Sequence, residues 1–196
     1  MAGQDYCALQ DVKSYLQFSS TDTQYDTLLS FLVTRASRVL DNYCQHPLNF
    51  IQESITETVR AKVDNTGALL APAGKPIVTA VTSFGWTTSP SIAPNPIDPS
   101  LLWIDSGYVV VAPDADLGKL RGQRIRVTMT YTGGYNPLPD DIVHSAIVLA
   151  ARFFKEKDAG FSDMVGVEGL GILQYAKVMP REIKQVLDNW KRAASW

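Results

Sequence analysis

The stretch TYTGGYNPLPDDI, residues 130–142, joins two different kinds of secondary structure. The residues before it alternate and are rich in β-branched side chains, as in a strand, whereas the residues after it follow helical spacing. Gly133 and Gly134 are expected to end the strand, because glycine adopts backbone angles that other residues avoid. The proline pair stiffens the crossover, and the two aspartates favour the start of a helix. The stretch therefore marks a boundary between a β-rich region and a helical region.

The helix predicted after this boundary, DDIVHSAIVLAARFFKEKD (140–158), is apolar on nearly every side. Its polar stripe consists of His144, Arg152 and Lys155, so we expect neighbouring elements to bury the rest. A last helix is predicted in PREIKQVLDNWKRAASW (180–196), since proline fits the first helical turn. Its apolar stripe either packs on the chain's own core or docks in a partner's groove. This stripe consists of Ile183, Val186, Leu187 and Trp190.

Two helices are also predicted before the β-rich region. ALQDVKSYLQF (8–18) has one apolar face, and a longer amphipathic pattern follows it. Thr23 and Asp26 resemble a capping box at the start of the longer helix, and Pro47 is expected to stop it. Its apolar positions follow the 3, 4, 3, 4 spacing of a helix; they are Tyr25, Leu28, Leu29, Leu32, Ala36, Val39, Leu40 and Tyr43.

Five segments between the helical regions have strand patterns. SITETVRAKV (54–63) alternates, which predicts an apolar face of Ile55, Val59, Ala61 and Val63 and a polar face of Thr56, Thr58, Arg60 and Lys62. The other four segments are PIVTAVTSFGW, LLWID, GYVVVAP and RIRVTMTYT. By contrast, TTSPSIAPNPIDPS (87–100) contains four prolines, which predict a long exposed loop.

The order of these elements is helix, helix, strands, helix, loop, helix. Such segregation predicts an α+β fold rather than an alternating α/β fold. We expect a small helical bundle, built from two N-terminal and two C-terminal helices, with a β-rich insertion between them. The expected boundaries are residues 1–53 for the N-terminal helices, 54–134 for the insertion, and 135–196 for the C-terminal helices with a docking tail.

The composition excludes several classes of protein. The chain has 196 residues, 45% of them hydrophobic, which is enough for a sizeable core. Its net charge of −2 gives no strong overall attraction to nucleic acid, so any DNA contact is local. Two cysteines, Cys7 and Cys44, are too few for a disulfide framework. Without a signal-peptide pattern or an apolar run of about 20 residues, we expect a soluble intracellular protein.

Two glycine-containing motifs resemble ligand-binding loops only in part. GVEGLG (166–171) has the wrong glycine order for a dinucleotide site, and no Walker lysine and hydroxyl follow it. DADLG (114–118) lacks the third acidic ligand and the final glutamate of a calcium loop. We interpret DADLG as a surface turn and GVEGLG as a flexible interface loop, whose candidate contact residues are Gly166, Gly169, Leu170 and Gly171.

The titratable residues do not form a catalytic or metal-binding pattern. His46 and His144 have no cysteine, histidine or acidic partner at metal-ligand spacing. Asp140 and Asp141 precede an apolar helix, where carboxylates favour the N-terminus. No serine-nucleophile motif is present. The sequence therefore predicts no catalytic residue, no metal and no cofactor.

One basic cluster, KLRGQRIR (119–126), contains four cations and no acid. If Arg124 and Arg126 share a strand face, they form a basic ridge. The ridge is either an ordinary solvated face or a contact for an acidic partner or a nucleic-acid backbone, without sequence specificity. The candidate contact residues are Lys119, Arg121, Arg124 and Arg126.

In three places the sequence resembles the head–tail connector, or adaptor, proteins of tailed bacteriophages, which form a ring beneath the portal. In TDTQYDTLLSFLVTRASRVLDNYC (21–44), D-x-L-L opens a long helix. In YNPLPDDIVHSAIVLAARFFKEKD (135–158), a proline turn precedes an alanine-rich helix. The third place is a glycine-bearing loop followed by VMPREIKQVLDNWKR (178–192). The order and spacing of these motifs carry the resemblance, whereas the β-rich insertion departs from the short, nearly all-helical members.

The resemblance implies a non-enzymatic structural protein of the virion neck, assembled in the host cytoplasm. Copies would form a ring, twelvefold to match the portal, with a stopper or tail protein below and DNA passing through its lumen without sequence specificity. The helix at 180–192 would dock on the portal, and residues 160–177 would form a second interface. The alternatives are another neck ring component, such as a stopper or tail-terminator, and a small ligand-binding or enzymatic α+β protein.

Overall fold

A computed structural model of the chain describes residues 4–46, 48–105, 107–113, 117–158, 164–167, 171–174 and 179–191. The chain divides into two compact units. The helical unit consists of Met1–Gln45 and Leu138–Arg192, and the β unit consists of His46–Pro137. The α+β class is confirmed. The β unit starts at His46, before the expected boundary at residue 54.

Among its described residues, the β unit contains one curled antiparallel sheet of seven strands. Their spatial order is β4-β3-β7-β1-β2-β6-β5. Contacts of β3 with β5 and β6, which are not its neighbours in this order, show that the sheet curls. Two short 3-10 helices, Pro99–Leu101 and Gly118–Leu120, lie in its connections. The strands are β1 (Glu53–Val63), β2 (Leu69–Pro72), β3 (Val78–Thr87), β4 (Asn95–Pro96), β5 (Leu102–Asp105), β6 (Tyr108–Val111) and β7 (Arg124–Gly133).

The inner face of this curled sheet forms the core of the β unit. On β1, Thr56, Thr58, Arg60 and Lys62 are exposed while Ala61 and Val63 are buried, which confirms the predicted alternation. β7 alternates in the same way. The fully or nearly fully buried core includes Val63, Leu69, Ala71, Phe84, Val109, Val111, Leu117, Ile125, Val127, Met129 and Tyr131.

Two strands of the β unit were not predicted from the sequence. β2, LLAP, lacks the β-branched and aromatic residues that marked the equally short β5 and β6. β4 lies inside the proline-rich stretch predicted as a loop, and proline is tolerated there because β4 is an edge strand. Residues 90–96 are exposed as expected, but Ile97 is buried and its N–H donates to the Phe84 carbonyl at 2.9 Å.

The two glycines at the end of β7 have a specific steric role. Gly134 has a φ of +104°, and an added Cβ would lie 2.4 Å from the Ile51 carbonyl oxygen. At Gly133 an added Cβ would lie 2.5 Å from the Ile77 carbonyl oxygen. The predicted need for glycine at this strand end is therefore confirmed, and close backbone approach adds to the conformational reason.

A buried lysine ties the start of β1 to the segment before β3. The Lys75 side chain is 0% exposed, and its Nζ donates to Asn49 Oδ1 at 2.9 Å, to the Ile51 carbonyl at 2.7 Å and to Glu53 Oε1 at 2.6 Å. All three acceptors belong to one short segment, which closes around the ammonium group. The buried charge is thus neutralised and hydrogen-bonded, as burial of a charge requires.

This ion pair predicts a contribution to stability that depends on pH. The hydrogen bond from Lys75 holds the pKa of Glu53 below its usual value of 4.5. Because the folded-state pKa is lowered, ionised Glu53 stabilises the fold above about pH 4.5, and this contribution is lost as the pH falls through the folded-state pKa. We expect Glu53→Gln to weaken the acid dependence of the denaturation midpoint, compared between about pH 7 and about pH 3. An unchanged acid dependence would contradict this role.

In the part of the chain that the structure describes, the helical unit contains four helices and a two-stranded hairpin. The helices are α1 (Leu9–Tyr15), α2 (Asp26–Cys44), α3 (Asp140–Asp158) and α4 (Arg181–Asp188), and the hairpin pairs β8 (Met164–Val167) with β9 (Gly171–Gln174). α2 packs on α3, and both α1 and α4 contact each of these two helices. The buried core includes Val12, Leu29, Leu32, Val33, Ala36, Leu40, Ile142, Ala146, Leu149, Ala150, Phe154, Ile183 and Leu187.

The start of α2 differs from the predicted capping box. The helix begins at Asp26, and no side chain caps its N-terminus. The Asp26 carboxylate instead accepts a hydrogen bond from buried Lys13 at 2.8 Å, and Lys13 also donates to the Ser20 and Asp22 carbonyls. Lys13 therefore links α1, the connecting loop and α2. α2 ends with Gln45 in the left-handed region, while Pro47, the predicted stop, lies outside the described residues.

Candidate assembly and contact surfaces

α4 is fastened to α2 by a polar cluster at its C-terminal end. The Tyr43 hydroxyl donates to Asp188 Oδ1 at 2.7 Å, and Lys191 pairs with the same carboxylate at 2.8 Å while lying 4.3 Å from the Tyr43 ring centroid. The hydrogen bonds from Lys191 and Tyr43 hold the pKa of Asp188 below its usual value, and the bond from Lys191 has the larger effect. Trp190 Nε1 donates to Asp141 Oδ2 of α3 at 3.4 Å.

The predicted docking stripe, which runs from α4 to Trp190 two residues beyond its end, divides into two parts. Leu187 is 0% exposed and Ile183 is also buried, so both belong to the core of the helical unit. Val186 and Trp190 are only half-buried. The sequence left two arrangements open, packing on the chain's own core and docking in a partner's groove. Ile183 and Leu187 pack on the chain's own core. Val186, Trp190 and their polar neighbours are therefore the residues through which this part of the chain can contact another protein.

The glycine-bearing segment predicted as an irregular loop is partly β-structure. Gly166 lies in β8 and pairs with Ile172, while Gly171 opens β9 and pairs with Val167. The prediction of an irregular loop is wrong here, because frequent glycines obscured the short strand pattern. Gly169 and Leu170, the other two candidate contact residues, lie outside the described residues.

The basic residues are brought together by the pairing of β1 with β7. Arg124 and Arg126 share the outer face of β7, as their spacing predicted. In the sheet register Arg126 lies directly opposite Arg60, and Arg124 lies directly opposite Lys62. Among the described residues, no carboxylate forms an ion pair with any of the four. We call these four residues the basic quartet.

The quartet contains two residues that sequence reasoning missed as contact candidates. Arg60 and Lys62 were placed on the polar face of β1, but the register that brings them opposite β7 is not readable from one strand. The other two candidates, Lys119 and Arg121, are exposed just before β7. Their turn borders the end of β1, because Gly122 N–H donates to the Val63 carbonyl at 2.9 Å.

The helical unit has a surface groove between α2 and α3 of about 250 Å³. Its walls include Leu149 and Met179, and the Arg35 guanidinium lies 4.4 Å from the Phe153 ring centroid. Arg152 Nε pairs with Glu156 Oε1 at 3.2 Å on the same surface. This combination of apolar walls and paired charges suits contact with a protein surface.

The histidines and aspartates that were tested as catalytic or metal-binding candidates occupy positions typical of structural residues. His46 is buried and its ring meets that of Phe50 at 4.7 Å, whereas His144 is exposed. Asp140 and Asp141 open α3, as predicted. In the part of the chain that the structure describes, no three His, Cys, Asp or Glu residues are grouped to hold a metal, and no helix is long and apolar enough to cross a membrane. Asp114 and Asp116 of the calcium-like motif lie outside the described residues.

Both cysteines are buried in the helical unit. Cys7 precedes α1, and Cys44 ends α2 with its Sγ 3.8 Å from the Leu187 carbonyl oxygen. Burial raises the pKa of each thiol to about 12. The thiols are therefore protonated at neutral pH, which suits a packing role rather than a nucleophilic one.

Comparison with known proteins decides the family. The family model for head completion proteins matches residues 7–193, which includes both units. The chain belongs to the head completion protein family. This membership confirms the resemblance to phage head–tail connector proteins that the flanking helical motifs indicated. No curated protein sequence shows significant similarity to the chain.

Solved structures share the fold of this head completion protein. One is a chain from the neck of an empty gene transfer agent particle computed with C6 symmetry, with 15% sequence identity and a TM-score of 0.61. Another is a chain from the virion of a native gene transfer agent particle, with 14% identity and a TM-score of 0.58. Each match covers 96% of this chain and 90% of the other. The fold is therefore shared with virion proteins along almost its whole length.

Proposed function

We propose that this head completion protein is a non-enzymatic structural protein of the virion neck. In this role it forms a ring beneath the portal, joins head to tail and continues the DNA channel. The observation that carries the proposal is the family match over residues 7–193, to which the fold shared with a gene transfer agent neck chain adds support. A structural role in the neck requires no catalytic residues in either unit.

The ring has support from symmetry and from the surface of α3. The related neck was computed with C6 symmetry, and a twelvefold ring is compatible with it because twelve is a multiple of six. A closed ring needs a heterologous interface repeated around its axis. On α3, Val143, Ile147 and Val148 are only half-buried, so apolar surface remains for a neighbouring copy.

The ends of the ring would be assigned as follows. α4 would dock on the portal, with Val186 and Trp190 as its accessible apolar contacts. The β8–β9 hairpin, within the segment from residue 160 to 177, would form a second interface. A stopper or tail protein would bind on the side away from the portal. These assignments follow the family role and, for the portal contact, the half-buried state of Val186 and Trp190.

Portal docking is tested by mixing the purified chain with its candidate portal and imaging the product by electron microscopy. We expect a ring seated on the portal, because portal binding would nucleate ring closure. Val186→Glu is expected to prevent this complex, since it places a charge on half-buried apolar surface. Absence of any ring or portal complex with the unaltered chain would refute the adaptor role.

Ser30→Glu is the matched control for Val186→Glu. Ser30 is exposed on α2, and its replacement adds the same charge outside the proposed docking surface. Circular dichroism and thermal melting establish that both variants remain folded. Equal loss of portal binding in both variants would show that added charge, and not α4, is responsible.

A further inference from the structure

We propose that the outer face of β1 and β7 binds the phosphate backbone of double-stranded DNA through the basic quartet. The quartet is Arg60, Lys62, Arg124 and Arg126. The inference deepens the proposed function, on which it rests for the presence of DNA in the channel, by assigning the surface that meets it.

The arrangement of the quartet is unfavourable unless an anion is present. Arg60 lies directly opposite Arg126, and Lys62 directly opposite Arg124, so both cross-strand pairs are like-charged. Like charges directly opposite each other on a sheet are destabilising. No acidic residue follows the quartet on the outer face of β1, where Thr58, Thr56 and Ser54 come next. A surface on which no described carboxylate pairs with the clustered cations is complementary to a polyanion.

Threonine hydroxyls extend the cationic array along the same face. Thr58 and Thr128 are joined at 3.0 Å, and Thr56 and Thr130 are joined at 2.8 Å. In each pair one hydroxyl donates to the other, which leaves the acceptor's own proton for an outside oxygen. Hydroxyl side chains commonly accompany Arg and Lys in contacts with phosphate oxygens. The face therefore offers charge and neutral donors in one continuous ladder.

The regular spacing of the face suits the backbone of a nucleic acid. Side chains two residues apart on a strand repeat at about 6.6–6.8 Å, so the quartet and the threonines form a periodic array. A phosphodiester backbone is a periodic anion whose recognition needs no particular base sequence. The whole chain carries a net charge of −2, so attraction to DNA depends on locally cationic surface such as this face. Such local binding suits a channel through which DNA of any sequence passes.

The test measures binding of the full chain to a short fluorescein-labelled DNA duplex of random sequence. The affinity is determined from the fluorescence anisotropy of the duplex at several salt concentrations. Four phosphate contacts predict a slope of log affinity against log salt of about −3.6, and a loss of about a hundredfold between 50 and 200 mM salt. Arg60→Gln with Lys62→Gln is expected to reduce the slope by about 1.8. Replacing all four residues by Gln is expected to abolish binding at every salt concentration.

The control carries the same change in net charge at a different place. Lys155→Gln with Arg181→Gln removes two exposed cations of the helical unit, and we expect its slope to equal that of the unaltered chain. Removing the like-charge pairs is expected to leave the melting temperature unchanged or slightly higher. A thermal melt with this result would exclude unfolding as the cause of the lost binding.

Two results would overturn the inference. One is a quartet variant that keeps the affinity and salt slope of the unaltered chain. The other is binding to poly-glutamate, weakened by the Arg60→Gln and Lys62→Gln changes, without binding to the duplex, which would assign the face to an acidic protein. The assay uses the free chain, so either result leaves the portal-ring experiment to decide the proposed function separately.

Discussion

Replacing Leu187 with alanine is expected to destabilise the helical unit by about 3 kcal/mol, since removal of a fully buried leucine loses transfer free energy and leaves a cavity. Leu187 is 0% exposed in a helix that contacts both α2 and α3. α4 is short, with eight residues, so its stability depends on this packing rather than on its own helix propensity. Chemical denaturation of the variant and of the unaltered chain measures the difference.

Gln185→Ala provides the comparison on the same helix. Gln185 is exposed, and its replacement is expected to change the free energy of unfolding by less than about 0.5 kcal/mol. If Leu187→Ala changed the free energy of unfolding as little as Gln185→Ala, α4 would not be part of the helical core. Portal docking must consequently be probed with half-buried positions such as Val186, since changes at Leu187 would unfold the helix.

Replacing Lys75 with methionine is expected to destabilise the β unit by about 3 kcal/mol. The new side chain fills similar space but donates nothing, so the Ile51 carbonyl loses its ammonium donor and Asn49 Oδ1 keeps only the Ile51 N–H at 2.9 Å. An unmade hydrogen bond to an acceptor shielded from water costs about 1–3 kcal/mol. Glu53 adds less, because its side chain is 40% exposed and water can replace the lysine. The measurement is the free energy of unfolding at neutral pH.

Lys62→Met is the matched change at an exposed lysine of β1. It removes the same group and is expected to alter stability by less than about 0.5 kcal/mol. Equal effects at the two positions would mean that the burial and hydrogen bonds of Lys75 contribute nothing. A large effect confined to Lys75 would establish the ammonium group as a structural link in the β unit.

Periodicity made most of the fold predictable. The 3, 4, 3, 4 spacing located α2, and the alternation in residues 54–63 assigned both faces of β1 correctly. Weak or interrupted patterns were missed, as with β2, which lacks β-branched and aromatic residues, and the glycine-containing hairpin of β8 and β9. The predicted capping box of α2 is also wrong, because the Asp26 carboxylate pairs with Lys13, whose position depends on tertiary structure.

The contact surfaces were predictable only in part, for a related reason. Sequence spacing placed Arg124 and Arg126 on one strand face, but their alignment with Arg60 and Lys62 depends on a pairing between distant segments. Likewise, the apolar stripe of α4 could be read from the sequence, whereas its division into buried and half-buried residues could not. Periodicity reports which side chains share a face, and only the fold decides what that face meets.

The placement of the two cysteines gives the protein a built-in probe of its separate units. Cys7 and Cys44 are the chain's two thiols, and both lie in the helical unit. A thiol-reactive dye would therefore label the chain at a rate set by opening of that unit. Leu187→Ala should accelerate labelling, since the Leu187 carbonyl adjoins the Cys44 sulfur. Lys75→Met should accelerate it only if the two units unfold together, so labelling rates would reveal whether the head completion protein behaves as one cooperative body or as two.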